Sequence, residues 1–565
     1  MTVGAQSFAQ GILRERLLLA TAQLASSTPY SDDLVVQDVE HRPGAHRLFQ
    51  DYRGDLSGRY LGAVAVAHRE RVPVDLDKAH RILDRVIAAQ NHDGSFGSPA
   101  LPALARDHGA AWGHGRLLDG LLSSLSWVSA ERADRLGDAI DRLAGHAVAS
   151  AAGWADWLSR EPSRKFLLDP LSLVRPLARF AALRGDTRAM DAARRLVGAA
   201  PVTVDGLHLH GYLLFLRGRL EAAIADDDCS EIDAVCRQAD EVAARFLLPS
   251  GSALESLSTP WDINTEGCAT ADWVMLCLEL AQTTGLDRCR ERAWLAGLNG
   301  LAHAQQASGH FGCETLVGDG PMLALDYAPE AWWCCSFHGI EALGALSGSL
   351  ARVDASGGLV VSQPLDGVVE SAAGGVLLEV AGGYPFADRV ELRPGAAFAR
   401  GTGLRLRIPE SVTVSFSTGR LEGGWLILDA LEPHSVVVVE VSPALWFDVA
   451  GTASTPPFGN TTSGAPELGE ARVTLFLGQL AYAANAHEND AEDLVRARTL
   501  VLDPSYPVLP HGDAPGEYAV RVAGRNEFGT TVRLAPLVTA ELARNARMTR
   551  LGFAGIVAEH SGAHA

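Results

Sequence analysis

Two short segments carry the strongest chemical signal in this sequence. The first is TEGCAT at 265–270, and the second is WWCCSFHG at 332–339. Together they supply one carboxylate and three thiols, from Glu266, Cys268, Cys334 and Cys335. Thiolates and carboxylates form a soft, anionic ligand set that suits tetrahedral zinc, and the metal itself favours the thiolate form of cysteine. The two segments therefore predict a zinc site that joins two distant parts of the chain.

The adjacent cysteines Cys334 and Cys335 need an explanation other than a disulfide. Neighbouring cysteines rarely bridge each other, because the geometry is strained. The chain has eight cysteines, too few for a disulfide framework, and six of them are scattered singly. A lone cysteine in an apolar helix usually fills space, which is our interpretation of Cys277 and Cys289. Two successive helical residues point about 100° apart, so a shared metal explains the adjacent pair better than a shared core.

Other catalytic motifs do not occur. There is no GxxxxGK[ST] phosphate loop, no GxSxG elbow on a strand-to-helix turn and no HExxH helix. Three successive aspartates at 226–228 resemble a cation-binding cluster, but they begin a polar break between helices. We interpret them as a helix cap and a solvated turn.

The charge balance limits the possible partners. Lysine and arginine number 48 against 68 acidic residues, for a formal net charge of −20. Such a chain repels nucleic acid and anionic membranes, whereas neutral substrates stay open. No stretch is long and apolar enough to predict a transmembrane helix. Arg14, Glu15 and Arg16 interrupt the first apolar stretch, which predicts an amphipathic helix rather than a signal peptide and hence a cytoplasmic protein.

The pattern of apolar residues divides the chain. From about residue 8 to 350, apolar residues recur at three and four positions in segments rich in Ala, Leu and Arg, which predicts roughly a dozen helices. Near residue 355 the period changes to two, as expected for half-buried antiparallel strands. A segment rich in Pro, Gly, Ser and Thr at 451–470 predicts a linker or long loop before further strands. Helical arrays of this kind can close into a barrel around a central funnel that suits a sugar.

The Glu-x-Cys motif, the gap of some 65 residues and the Trp-Cys-Cys motif resemble glycoside hydrolase family 127, the β-L-arabinofuranosidase-like enzymes. Other stretches agree with that family: DGSFG at 93–97, WGHGRLLDGLL at 112–122, HLHGYLLFLRG at 208–218, LRLRIP at 404–409 and LFLGQLAYAANAHEND at 475–490. The resemblance implies a multidomain α+β chain. An N-terminal (α/α)6 barrel would cover residues 1–353, an antiparallel β-sandwich domain 354–450, and a second β-rich domain 451–565.

The resemblance also implies roles for single residues. Zinc would be held by Glu266, Cys268, Cys334 and Cys335, and Cys334 would be the nucleophile of a retaining mechanism. The general acid/base would be Glu255, in the loop PSGSALES at 249–256. Two further glutamates, Glu314 and Glu330, are alternatives on position alone.

Substrate contacts are predicted from His114, His208, His210, Trp333 and His338. An imidazole can donate a hydrogen bond to sugar hydroxyls, and an indole can stack on a sugar ring. His338 could instead orient a metal ligand from behind. Three more aromatic residues could extend a stacking wall, although a place in the core is as good an interpretation for the first of them: Trp273, Trp332 and Tyr327.

The function expected from this resemblance is a zinc-dependent retaining glycosidase that removes a terminal sugar, β-L-arabinofuranose, from a small oligosaccharide or glycoside. A homodimer is the assembly considered. Two alternatives stay open. One is a non-catalytic, carbohydrate-binding zinc protein of the same fold. The other is an (α/α)-barrel isomerase or lyase that uses a histidine base such as His114 or His210.

Overall fold

The computed structural model describes most of the chain up to residue 450 and short segments beyond it. The described residues are 5–40, 51–97, 108–160, 168–201, 206–257, 264–317, 322–325, 330–354, 356–450, 472–485, 499–502, 522–525, 531–536, 548–550 and 555–558. Within these ranges the protein is a mixture of helices and mainly antiparallel sheets, as the sequence predicts.

The helices lie in the first 350 residues. They are α1 Gly11–Ala22, α2 Asp32–Val35, α3 Asp55–Arg69, α4 Leu76–Ala88, α5 His108–Ser124, α6 Ala130–Arg160, α7 Val174–Arg184, α8 Thr187–Gly198, α9 Leu209–Ala225, α10 Cys229–Arg245, α11 Gly267–Thr284, α12 Asp287–Ala296, α13 Ala302–Ala304 and α14 Cys335–Gly348. Asp228, the last of the three successive aspartates, accepts hydrogen bonds from the amides of Ser230 and Glu231 at the start of α10. The interpretation of that cluster as a helix cap is confirmed.

Five helices run side by side in the same direction. On α3 and α14, Gly62 lies near Glu341 and Gly344 lies near Val66, so residue numbers rise together along both helices. On α9 and α11, His210 and Arg217 pair with Asp272 and Glu279 in the same order. Helix α5 runs in the same direction as α3. Helices α11 and α14 contact each other at their N-terminal ends, through Cys268 and Cys335. The N-terminal ends of all five helices therefore lie at one end of the helical region.

Glycine allows α3 and α5 to approach closely. A Cβ atom added at Gly120 would lie 2.1 Å from the carbonyl oxygen of Gly58, and one added at Gly58 would lie 2.5 Å from that of Arg116. A side chain at either position would push the helices apart. The close approach places the first turns of α3 and α5 against each other, where both helices contribute to the site.

The strands form three sheets. Their bounds are β1 Ala5–Ala9, β2 Asn264–Glu266, β3 Cys313–Val317, β4 Met322–Leu325, β5 Ala351–Val353, β6 Leu359–Val361, β7 Gly367–Ser371, β8 Val376–Ala381, β9 Arg389–Pro394, β10 Leu404–Arg407, β11 Val412–Phe416, β12 Arg420–Glu422, β13 Trp425–Leu428, β14 Val437–Pro443, β15 Leu445–Ala450, β16 Arg472–Leu477, β17 Leu480–Asn485, β18 Thr499–Leu502, β19 Val522–Arg525, β20 Thr531–Pro536, β21 Met548–Arg550 and β22 Gly555–Ala558. One sheet has the order β1-β7-β8-β9-β14-β11, and the second has the order β12-β13-β10-β6-β5. The third begins at β2-β3-β4-β21 and continues through β17.

Three features of the sheets differ from the sequence prediction. The N-terminal segment is not helical throughout, because Ala5–Ala9 is a strand that pairs with Gly367–Ser371. Strands β2, β3 and β4 interrupt the helical region, and β4 pairs with Met548–Arg550 near the end of the chain. Two pairings are parallel, β6 with β10 and β18 with β22. All three features depend on partners hundreds of residues away or on strands of three to six residues, which local periodicity does not reveal.

The predicted boundary at 353/354 falls between β5 and β6, which pair with each other. The run of strands that follows α14 thus begins at Ala351. A buried side chain connects the helical region to the third sheet: the Asn299 amide donates to the carbonyl oxygen of Gln479 at 2.9 Å and accepts from the amide of Ala481 at 2.7 Å. The three-domain division, the six-fold barrel and the sandwich packing stay predictions. Among the described helices, none has the length and hydropathy needed to cross a membrane.

Candidate thiol and metal site

Three cysteine thiols meet at the N-terminal ends of α11 and α14. The Sγ atoms of Cys268, Cys334 and Cys335 all lie within 4.8 Å of one another. Cys268 is 3.4 Å from Cys335, and Cys334 is 3.7 Å from Cys335, so all three are free thiols rather than disulfides. Sulfur atoms bound to one tetrahedral zinc at about 2.3 Å would lie roughly 3.8 Å apart. The spacing and the chemistry of these three donors fit zinc.

Helix geometry explains why the three thiols converge. Cys268 is the second residue of α11, Cys335 is the first residue of α14, and Cys334 precedes it as the N-cap. The partial positive charge at a helix N-terminus favours a thiolate. Hydrogen bonds from the Cys268 and Cys335 thiols, with the nearby charge of Arg59, hold the pKa of Cys334 well below that of a free thiol, although burial acts in the opposite direction. Cys334 is therefore the most acidic thiol of the three, and it is the only one of them with appreciable exposure.

A fourth thiol lies beside this group. Cys313 Sγ is 3.9 Å from Cys335 Sγ. Cys313 is on β3, directly opposite Glu266 on β2, so this strand pairing brings both residues to the thiols. In the sequence Cys313 is one of the six singly scattered cysteines, because the pairing of two short strands gives no periodic signal.

The predicted fourth ligand, Glu266, lies next to the three thiols but outside the group whose donor atoms are mutually within 4.8 Å. It is buried, and its Oε2 is 3.0 Å from His208 Nε2. Burial opposes a charge on His208, but Glu266 raises the pKa of this imidazole above its usual value. An imidazole that holds a carboxylate in this way is the arrangement expected behind a metal ligand.

Glu255, the predicted acid/base, is half-buried at the rim of the site. Its amide donates to the carbonyl oxygen of Asn264 at 2.8 Å, and its carbonyl oxygen accepts from the amide of Leu209 at 2.9 Å. These bonds fix Glu255 between β2 and the start of α9. Its carboxylate is close enough to His208 and Cys313 to affect the pKa of both.

The two alternative glutamates are placed differently. Glu314 follows Cys313 on β3, and successive strand residues point to opposite faces. Its carboxylate is buried, pairs with His303 and accepts from the Thr265 hydroxyl at 3.2 Å. Glu330 is exposed on a turn before Trp332. The choice of acid/base among the three glutamates stays a prediction.

A second set of possible metal donors lies beneath the thiols. The nearest donor atoms of His210, Cys268 and His338 are mutually within 4.8 Å, and all three residues are buried. His210 Nδ1 is 2.5 Å from Asp272, and its Nε2 faces an Arg59 nitrogen at 3.5 Å. A cation bound at Nε2 would meet the charge of this guanidinium. The three-thiol group is therefore the better metal site.

The other predicted contact residues lie at different depths. His114 is buried, accepts from the Phe96 amide at 3.0 Å, and has its pKa lowered to about 3 by burial. His338 has no exposed surface and packs its ring 4.6 Å from that of His210. Trp273 belongs to the buried core. Trp333 is half-buried and packs edge-on against Trp332 at 5.4 Å, while Tyr327 lies outside the described residues.

Three residues of the site were missed in the sequence analysis. Arg59 of α3 donates from Nε to Asp55 at 2.7 Å and lies near Cys268 and Cys334. Trp112 of α5 donates to the same Asp55 oxygen at 2.8 Å and packs its ring 5.2 Å from His210. The spacing of Asp55 and Arg59 by four residues is a signal for a helical ion pair, but it does not indicate that the pair faces a thiol site.

Comparisons with solved structures show the fold. The chain superposes on a β-arabinofuranosidase of glycoside hydrolase family 127 with a TM-score of 0.71, at 14% identity, covering 98% of this chain and 99% of that one. A GH127 β-L-arabinofuranosidase from Geobacillus stearothermophilus T6 gives 0.71 at 13% identity, covering 98% and 100%. A further glycoside hydrolase gives 0.67 at 13% identity, covering 98% of each chain. In the sequence comparisons, no family model and no curated protein match. The chain therefore has the GH127-like fold over nearly its whole length, at low sequence identity.

Proposed function

We propose that this protein is a retaining glycoside hydrolase of the arabinofuranosidase kind, with Cys334 as nucleophile and Glu255 as acid/base. The observation that carries the proposal is the meeting of three thiols at two helix N-termini, with Cys334 as the partly exposed one. The GH127-like fold supports a glycosidase. Cys268, Cys334 and Cys335 would hold zinc, with Glu266 beside them as the fourth donor. When bound, zinc would keep these thiols deprotonated at neutral pH.

Two steps would complete the reaction. In the first, the Cys334 thiolate attacks the anomeric carbon, the bond to the departing oxygen breaks, and the Glu255 carboxyl gives its proton to that oxygen. In the second, Glu255 takes a proton from water, the water oxygen attacks the anomeric carbon, and the carbon–sulfur bond breaks to return the thiolate. His208 would hold Glu266 in place, since its Nε2 lies 3.0 Å from the carboxylate, and Trp333 would stack on the sugar. Contacts of His114 and His338 with the sugar stay predictions.

The substrate proposed is a small glycoside or short oligosaccharide with a terminal β-L-arabinofuranose. The two family 127 neighbours are described as arabinofuranosidases, and the net charge of −20 suits a neutral substrate. A cytoplasmic location and a homodimer are also proposed, as the sequence analysis expects.

Covalent trapping tests the proposal. The protein would be incubated with a cyclic epoxide analogue of β-L-arabinofuranose, digested, and analysed by mass spectrometry. We expect one adduct per chain, on Cys334, together with hydrolysis of nitrophenyl β-L-arabinofuranoside. An adduct on a histidine, or tight binding of the sugar without turnover of any nitrophenyl glycoside, would contradict the proposal and favour an isomerase or a binding protein.

A further inference from the structure

The guanidinium of Arg59 is a buried cation with one unused donor next to the thiols. The side chain is only 3% exposed. Its Nε donates to Asp55 at 2.7 Å, and its Nη2 faces His210 Nε2 at 3.5 Å. Its Nη1 is buried and has no hydrogen-bond partner among the described residues. Leaving a buried donor unpaired is destabilising, more so when the donor is charged, so a partner is expected to bind there.

A buried relay determines how His210 meets Arg59. Asp272 has no exposed surface, and its two oxygens meet His210 Nδ1 at 2.5 Å and Arg217 Nη1 at 2.6 Å. These two partners and Arg116 hold the pKa of Asp272 below its usual range against the effect of burial, so it is a carboxylate. A carboxylate only accepts, and His210 must therefore donate from Nδ1. The Nε2 atom is left with its lone pair towards Arg59.

The relay and Asp55 together orient the guanidinium. Asp55 fixes Nε from one side, and the His210 lone pair accepts from Nη2 on the other. A planar guanidinium that is held at two of its nitrogens has the direction of the third one determined. His210, which meets Arg59 Nη2, also has a ring nitrogen within 4.8 Å of Cys268 Sγ, so the guanidinium lies beside the thiol group.

We infer that Arg59 is a substrate-contacting residue whose Nη1 donates to one hydroxyl oxygen of the sugar above Cys334, and that Asp272 is a positioning residue that acts through His210. This inference rests on the proposed function. The ligand class it adds is a sugar that carries a hydroxyl within reach of Arg59 when its anomeric carbon faces the thiolate.

Monodeoxy substrates test the contact directly. The kcat/KM values of wild type and Arg59→Met would be compared on nitrophenyl β-L-arabinofuranoside and on its 2-, 3- and 5-deoxy analogues. We expect Arg59→Met to lose about 10- to 100-fold on the parent, the value of a hydrogen bond from a charged donor, and to lose almost nothing on one deoxy analogue. An equal loss on all four substrates would overturn the contact. Arg59→Lys keeps the positive charge without the planar guanidinium, and it should recover part of the activity on the parent substrate. Such a recovery would show that the loss in Arg59→Met does not come from misfolding.

The relay is tested by Asp272→Asn. An asparagine whose oxygen accepts from Arg217 turns its NH2 group towards His210 Nδ1. His210 must then accept at Nδ1 and carry its proton at Nε2, so it no longer accepts from Arg59. We expect Asp272→Asn to lower kcat/KM on the parent substrate about tenfold and to lose almost nothing on the same deoxy analogue as Arg59→Met. In the Arg59→Met background it should cause no further loss of kcat/KM. Additive losses in the double variant would overturn the role of Asp272. Arg175→Met, at the far end of the helices, is the matched control and should keep wild-type kcat/KM.

Zinc content and turnover separate this inference from the proposed function. A wild-type protein that hydrolyses none of the substrates refutes the proposed function and the inference with it. An active wild type whose Arg59→Met variant is equally active, with equal zinc content, refutes the inference alone.

Discussion

The five parallel helices carry different kinds of polar group at their two ends. These helices are α3, α5, α9, α11 and α14. The thiol end, around Cys268, Cys334 and Cys335, keeps unused donors and acceptors: Arg59 Nη1 and both ring nitrogens of His338 have no hydrogen-bond partner within the described residues. The arginine end, around Arg175 and Arg179, lines a cavity of about 650 Å³. There Arg175 reaches Asp119, Glu221 and Glu279 within 3.4 Å.

The difference is expected if the thiol end carries out the proposed reaction and the arginine end stabilises the fold. Helix C-terminal ends carry partial negative charge, so the guanidinium groups of Arg175 and Arg179, which belong to α7, are favoured beside the C-terminal halves of the parallel helices. Helix N-terminal ends favour thiolates and anions, and unused buried donors at that end indicate a missing partner. At the arginine end, carboxylates of the protein itself face the guanidinium groups, although Arg175 Nε makes no hydrogen bond among the described residues, whereas a metal and a substrate are proposed as the partners at the thiol end. Substitutions at the two ends should therefore affect different quantities.

The largest effect is expected at the thiol end. Cys334→Ser removes the nucleophile, and kcat/KM should fall about a thousandfold or more, because a serine hydroxyl is a far weaker nucleophile at neutral pH. The measurement is hydrolysis of nitrophenyl β-L-arabinofuranoside, with thermal melting to confirm folding. Cys229→Ser, at an exposed cysteine outside the thiol group, is the control and should be indistinguishable from wild type.

At the arginine end, Asp119→Asn should reduce stability and leave catalysis alone. Arg175 donates to Asp119 at 3.2 Å, and Arg179 donates to its other oxygen, so the substitution leaves two partly buried cations short of a counter-charge. We expect the free energy of unfolding to fall by about 2–4 kcal/mol, measured with urea. A large fall in kcat with unchanged stability would mean that the two ends are not separable in this way.

The contact of α3 with α5 connects both ends, and Gly120→Ala tests it. The new Cβ atom would meet the Gly58 backbone at 2.1 Å. We expect a loss of about 1–3 kcal/mol in the free energy of unfolding and a lower kcat/KM, because Arg59 and Trp112 would move apart. A variant as stable and active as wild type would show that these helices adjust freely.

The smallest effect is expected from the matched control, Gly145→Ala. Gly145 is also within a helix, and an added Cβ atom would meet nothing within 4 Å. Higher helix propensity should raise the free energy of unfolding by about 0.5–1 kcal/mol without a change in kcat/KM. Equal destabilisation by both alanines would mean that helix crowding is not the cause at Gly120.

Much of the fold and of the thiol site could be predicted from the sequence. The features that could not be predicted depend on pairing between distant parts of the chain. Periodicity predicted the helical region, the change to strands near residue 355 and the core position of Cys277. The residue types of Cys268, Cys334 and Cys335 predicted the metal chemistry, and the structure brings the three together. The strand Ala5–Ala9 was missed because its partner lies more than 350 residues away, and no local pattern encodes that pairing.

The site residues that were missed share one property. Arg59, Asp55 and Cys313 have ordinary local signals, an ion pair four residues apart and a single cysteine, and their importance depends on which neighbours the fold provides. His114 shows the reverse case. Its motif predicts a substrate contact, which stays a prediction; the structure adds that its Nε2 accepts from the Phe96 amide, a local bond that the motif does not indicate.

The central claim is that three sulfur atoms from α11 and the start of α14 share one zinc ion, and X-ray absorption at the zinc edge tests it most directly. The purified protein should contain one zinc per chain, with three sulfur neighbours at about 2.3 Å and one lighter oxygen or nitrogen neighbour. The sulfur count should fall to two in Cys268→Ser. A zinc shell of nitrogen and oxygen only, or protein that is fully active without zinc, would contradict the account.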